Sequence, residues 1–236
     1  MQVRVMVPVA LSVAFATTSA FSQEFGKSGD FSIAVERVFA IHKSKVYEEN
    51  WVAGEPDWED SYTGISFGWR GPSAISRAGR PQASSNPLDV PRFSFDYFIL
   101  EHLSLGGSLG YSSISDADDS QEGFSEDSTS SFLFNPRVGY ALMFSSAVGF
   151  WPQGGLSYYS ITHDETHSES GLTLTINLPF VLSPATHLAF MAGPYLDLGM
   201  LGTIDYDGGF GGDPPPPDHD RTYRSIGLQF GLMGWL

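Results

Sequence analysis

Leu172-Thr173-Leu174-Thr175-Ile176-Asn177-Leu178-Pro179-Phe180 sets an apolar side chain at every even position and mostly polar ones between. A repeat of two describes an extended strand with one apolar face. The pattern recurs on both sides of this stretch. Phe93, Phe95, Tyr97 and Ile99 alternate with Ser94, Asp96, Phe98 and Leu100, and Ile226, Leu228, Phe230, Leu232 and Leu236 alternate with Gly227, Gln229, Gly231 and Trp235. The chain therefore reads as all-β.

Three hairpins with short turns are legible. Arg92–Leu100 joins Leu103–Ser113 through Glu101-His102, and Ser131–Leu142 joins Val148–Ser160 through 144–147. Gly171–Leu182 joins Leu188–Leu198 through Ser183-Pro184-Ala185-Thr186. Thr222–Leu236 and Phe31–His42 bring the strands to eight, and long polar stretches (43–91, 114–130, 161–170 and 199–221) separate the hairpins. Tyr62–Trp69 also alternates. Read as part of a long first loop it leaves eight strands; read as spanning it needs a partner and makes ten.

The N-terminus has the layout of a secretion signal. Arg4 is basic, Val5 to Ala16 is mostly apolar, and Ala20-Phe21-Ser22 offers a small-residue cleavage site before Gln23. That apolar run is too short to cross a bilayer as a helix, which needs about 20 residues. Removing residues 1–22 takes away one of the 12 basic residues and leaves 11 against 27 acids, a net charge of −16 on one domain, 23–236. Such a charge speaks against nucleic acid, which selects basic surfaces. Cysteine is absent, so no disulfide closes the fold and strand pairing must.

A soluble β-sandwich also alternates. Here charges gather between the strands, aromatics sit near strand ends (Phe93, Tyr97, Tyr111, Phe132, Phe144, Phe150, Tyr158), and short connections alternate with long ones. Those features fit a closed antiparallel transmembrane barrel with short periplasmic turns, long extracellular loops and interfacial aromatic girdles. In phase with the outward face, Leu236 ends the last strand in the manner of an outer-membrane assembly signal.

With Pro91-Arg92-Phe93-Ser94-Phe95-Asp96-Tyr97-Phe98, Leu103-Ser104-Leu105-Gly106-Gly107 and Pro136-Arg137-Val138-Gly139-Tyr140, the chain resembles the small OmpA/OmpX-like outer-membrane β-barrel superfamily of Gram-negative bacteria. The resemblance covers roughly residues 30–236. It implies the fold and an outer-membrane location, and leaves activity open, because such barrels host several kinds of function.

On the other face of the strands lie Glu36, Asp96, Asn135, Arg137, Gln153, Asn177, Tyr195, Asp197 and Gln229. Toward lipid, an arginine at the midplane costs about 2–4 kcal/mol. Inside, Arg137 can meet Glu36, Asp96 or Asp197, and eight strands leave just enough interior for side chains to fill. The expectation is a polar network that stiffens the barrel. Arg37 falls out of phase, toward lipid; either a β-bulge restores the phase or the side chain snorkels to a boundary.

The acids of 43–60 (Glu48, Glu49, Glu55, Asp57, Glu59, Asp60) and 114–130 (Asp116, Asp118, Asp119, Glu122, Glu126, Asp127) read as solvated loops. Their functional reading is capture of divalent cations, shared with lipopolysaccharide phosphates. Asp205-Tyr206-Asp207-Gly208-Gly209 with Asp213 lacks the spacing of a calcium loop, and Pro214–Pro217 reads as a stiff prop. His163 and His167 would pair as zinc ligands only on a helix, and no G-x-S-x-G elbow accompanies His163, Asp164 and Ser168. The sequence thus assigns no residue to catalysis, a cofactor or a metal. It points first to a monomeric structural or surface-interaction barrel, next to a small diffusion pore or lipid-binding barrel, and last to a lipid-modifying enzyme.

Overall fold

A computed structural model describes residues 25–50, 55–67, 70–75, 86–116, 127–163, 167–206 and 217–236. The expected signal segment 1–22, residues 117–126 of the acidic 114–130 stretch, residues 164–166 and residues 207–216 lie outside them.

The elements in chain order are β1 (Phe31–Glu48), β2 (Trp58–Phe67), β3 (Arg70–Ile75), a 3-10 turn (Pro87–Asp89), β4 (Arg92–Leu100), β5 (Leu103–Asp116) and β6 (Asp127–Tyr140). There follow β7 (Leu142–Met143), β8 (Val148–Phe150), β9 (Gln153–His163), β10 (His167–Asn177), β11 (Phe180–Ala185), β12 (Leu188–Tyr206) and β13 (His219–Trp235). Antiparallel pairing runs β1-β4-β5-β6-β9-β10-β12-β13 and returns to β1. Short β7, β8 and β11 prolong β6, β9 and β10 toward the turn end and pair in the same order. The breaks between β8 and β9 and between β10 and β11 fall at Pro152 and Pro179, which have no N–H to give a ladder. The result is a closed barrel of eight staves. Within hydrocarbon an open edge would leave backbone groups unpaired at several kcal/mol each, so closure follows from the environment.

The outward rows are apolar. Phe93, Phe95 and Tyr97 on β4, Phe132, Phe134 and Val138 on β6, and Leu228, Phe230 and Leu232 on β13 are all exposed on the barrel wall. Inward neighbours Ser94, Asp96, Asn135, Arg137 and Gln229 are buried. This inversion of a soluble protein's polarity is that of a membrane-spanning barrel.

Of the two readings of Arg37, the bulge is the one present: the residue has φ 55 and is fully buried, and the β1–β13 register shifts between Val35 and Phe39. A bulge has turned it inward. As the alternation has it, Trp235 is buried and Leu236 exposed. Strands run further at the loop end than alternation shows, to Glu48, Asp116, His163 and Tyr206, and from Asp127, His167 and His219. Beyond lipid no outward apolar residue is required, so the hydropathy pattern stops while the ladder continues. The third short turn is Thr186-His187, since β11 reaches Ala185.

Within the Tyr62–Trp69 stretch, the described residues belong to β2 and form no ninth stave. Below the bulge β1 pairs with β4 (Phe31–Glu36), and above it with β2 (Phe39–Glu48). The β2–β3 hairpin is therefore a wedge between β1 and β4. Its lower end shares the apolar rows, with Phe67 opposite Phe39 and Ile65 opposite Ile41.

At the turn end the chain before β1 doubles back under the barrel. Asp30 accepts hydrogen bonds from the backbone N–H of Gly26 (3.1 Å) and Lys27 (3.0 Å), and Gly26 takes the positive φ of +95 that the bend requires. Phe25 is thereby set among Phe98, Trp151 and Trp235, with ring centroids at 5.0, 5.1 and 5.5 Å. Phe25→Ala empties this position. We predict a loss of about 3 kcal/mol in denaturant unfolding in detergent, in the lower part of the range for buried Phe→Ala changes, with unchanged strand content by circular dichroism.

Candidate functional site

Above this aromatic floor the lumen holds two charge clusters. Arg137 meets Asp96 through two parallel hydrogen bonds, Nε to Oδ1 at 3.1 Å and Nη2 to Oδ2 at 2.6 Å, and its Nη1 lies 2.6 Å from Glu36 Oε1. Ser94 Oγ donates to the same Glu36 oxygen at 2.9 Å. Gly106 makes this possible, since a Cβ there would stand 2.4 Å from Asp96 Oδ1. Asp197 does not join Arg137. It takes Arg37 Nη1 at 2.8 Å, Thr175 Oγ1 at 2.7 Å and, further off, Arg92 Nη2 at 3.7 Å. Arg37 lies over the Tyr195 ring (3.8 Å) and donates to Gln229 Oε1 (3.3 Å), and Gln229 donates to Asn177 Oδ1 (3.3 Å).

The structure thus places all nine residues singled out in the sequence in the interior, each buried. Seven are joined through the contacts above. Asn135 has neither side-chain atom paired, and Gln153 Nε2 is unpaired, among the described residues. The space left between Glu36, Arg37, Gln153, Met191 and Gln229 is a cavity of about 10 Å³, near the smallest that holds one water.

Residues outside the nine singled out in the sequence complete the interior. Arg37, Arg92 and Arg137 face Glu36, Asp96 and Asp197, so three cations balance three carboxylates. Arg92 was findable, being in phase with Ser94 and Asp96. The end of the first polar stretch was not: Asn86 to Val90 fold into the barrel and are buried. Leu88 packs with Leu133, Tyr159, Ile161 and Tyr223, and its carbonyl accepts from Arg37 and Arg92. Asp89 accepts from Ser44, Tyr62 and Ser225, each at 2.9 Å, and from Asn86 at 3.1 Å, with His42 Nε2 at 3.3 Å. Gly64 lets that imidazole in, for a Cβ there would lie 2.3 Å from His42 Nε2.

At the loop end, above the outward apolar residues that begin at Leu172 on β10, a row of rings crosses four staves. His163, His167, Tyr206 and His219 follow one another at 4.4, 5.6 and 5.8 Å. Glu169 accepts from His163 Nε2 (2.8 Å) and Arg221 Nη1 (2.9 Å), and Glu48 accepts from His219 Nε2 (3.1 Å). Burial pushes the Glu169 carboxyl up, but the hydrogen bonds from His163 and Tyr223 and the charge of Arg221 outweigh it and hold it below the usual carboxylate range. Among the described residues no three histidine or acidic side chains converge on one point as metal ligands. His163 and His167 are on facing strands, not a helix, and Glu59 of the first acidic stretch is bound to Lys45.

No family model matches the chain, and no curated protein does. Solved structures of outer-membrane barrels are similar to it. Neisserial surface protein A is 11% identical, covering 88% of this chain and 99% of its own, with a TM-score of 0.46. OprG of Pseudomonas aeruginosa is 11% identical over 88% and 96%, with a TM-score of 0.48. The outer membrane protease OmpT of Escherichia coli is 7% identical over 88% and 97%, with a TM-score of 0.43. At such identities no residue or role carries across.

Two outcomes are predicted. Arg137→Leu leaves Glu36 and Asp96 as uncompensated buried charges, so unfolding free energy should drop by about 3–5 kcal/mol; adding Glu36→Gln and Asp96→Asn should return much of it in the same denaturant titration. Glu169 has a folded pKa below its unfolded value of 4.5, so its contribution is present above that value and lost as pH falls through the folded pKa. The stability gap between wild type and Glu169→Gln should therefore shrink as acid is added below pH 4.5.

Proposed function

We propose that this chain, exported by residues 1–22, is a monomeric, non-catalytic outer-membrane barrel with a structural and surface-interaction role exercised at its acidic loop end. One observation supports this reading: the chain's own side chains fill the described interior at three levels. The Phe25 floor, the balanced charge layer and the inward-folded 86–90 segment follow one another along the axis. A closed lumen makes the barrel a rigid mount, and what it offers to the outside is its rim and loops. The partners in this reading are outer-leaflet lipopolysaccharide and divalent cations held between lipid phosphates and exposed loop acids such as Glu49 and Glu55.

Planar-bilayer recording of the purified barrel tests the role. No stepwise conductance is expected; reproducible unit steps would replace this reading with that of a diffusion pore. An unchanged lipid A acylation pattern on deletion of the gene is expected as well, and an altered pattern would make the barrel an enzyme.

A further inference from the structure

The chain has 12 basic residues, and their placement on the barrel is uneven. Arg37, Arg92 and Arg137 are sealed in the lumen, and Arg221 bonds Glu169 at the mouth. On the outer wall of the described staves the cations are Lys43 and Lys45 of β1 and Arg224 of β13. The two strands are neighbours, and Lys45 and Arg224 are direct cross-strand partners. Lys43 stands one outward row lower, opposite Ile226. Below them the wall is apolar, with Ile41 beside Leu228 and Phe39 beside Phe230. The three charges therefore sit at the loop-end edge of the apolar band.

Tyr47 organises the cluster. The Arg224 guanidinium lies 4.8 Å from its ring centre and Lys45 Nζ 5.7 Å, which holds two cations side by side against repulsion. Glu59 of β2 neutralises part of Lys45, while Lys43 and Arg224 are exposed. In a chain of formal charge −15, three outward cations on two adjacent staves form a local reversal of sign. Cations that face outward at a membrane boundary meet lipid headgroups, and a clustered set selects anionic ones.

We infer that Lys43, Lys45 and Arg224, seated around Tyr47, form a binding site for the phosphate of an anionic outer-leaflet lipid, with the acyl chains lying along Ile41, Ile226 and Leu228. The inference rests on the proposed orientation, loop end outward, and not on the closed lumen. Conductance would overturn the surface role and leave this site standing.

Native mass spectrometry of the folded, detergent-purified barrel with bisphosphorylated lipid A tests it. Wild type should retain lipid A and retain its dephosphorylated form far less. Lys43→Ala/Lys45→Ala/Arg224→Ala should weaken binding roughly fivefold per cation, about a hundredfold in all, while Lys43→Arg/Lys45→Arg/Arg224→Lys and Lys27→Ala, at the turn end, bind as wild type. Where the triple variant does not fold, Lys43→Ala and Arg224→Ala are read singly for the fivefold loss. Equal retention by the alanine variants, equal retention of the dephosphorylated lipid, or no retention by wild type would each overturn the inference.

Discussion

Hydrocarbon gives an unpaired backbone group no partner, and the rest of this molecule follows from that constraint. The sheet must close, and it does so where β13 returns to β1. Closure with eight staves fixes an interior only as wide as side chains can fill. Whatever polar groups alternate inward must then satisfy one another in that volume. Buried arginine without a counter-charge is strongly unfavourable, so the inward rows carry Glu36, Asp96 and Asp197 against Arg37, Arg92 and Arg137.

The bulge at Arg37 is where closure and neutrality meet. Without the register shift between Val35 and Phe39, Arg37 would point into lipid and Asp197 would keep only the more distant Arg92. With it, Arg37 reaches Asp197 and the carbonyl of Leu88, so the inward fold of 86–90 is held by the same side chain that balances the lumen. The shift also changes the neighbour of β1 from β4 to β2, opening the place for the β2–β3 wedge. A local excess of two residues on β1 over β13 thus couples the wall, the charge layer and the first loop.

What was legible in the sequence is what lipid enforces. Apolar positions at a spacing of two in 93–99, 172–180 and 226–232 give the wall, and their complements give most of the inward polar residues. Legibility fails where that constraint is absent. Above the band, β12 continues to Tyr206 and β10 begins at His167 with no hydropathy signal, so the ring row of His163, His167, Tyr206 and His219 reads as loop. Phe98, Trp151 and Trp235 are apolar yet inward, because the floor of the barrel is itself an apolar core around Phe25. The segment 86–90 enters the lumen through tertiary contacts, Leu88 in an apolar cluster and Asp89 amid hydroxyl and amide donors, and no local spacing announces such contacts.

Charge placement separates the barrel into compartments with different tasks. In the charge layer three arginines cancel three carboxylates, and the further buried carboxylate, Asp89, is held by hydroxyl and amide donors, which favours a single rigid packing. At the mouth, Arg221 links Glu169 and draws near Glu48, tying β13 to β10 and β1 where lipid no longer holds the wall together. On the outer wall of the described staves Lys43, Lys45 and Arg224 stand at the loop-end edge of the apolar rows. Unpaired charge along the axis would favour conduction; in the described interior the arginines are instead paired with carboxylates, which supports the proposal that a partner is recognised at the rim, the loops and the lipid-facing edge.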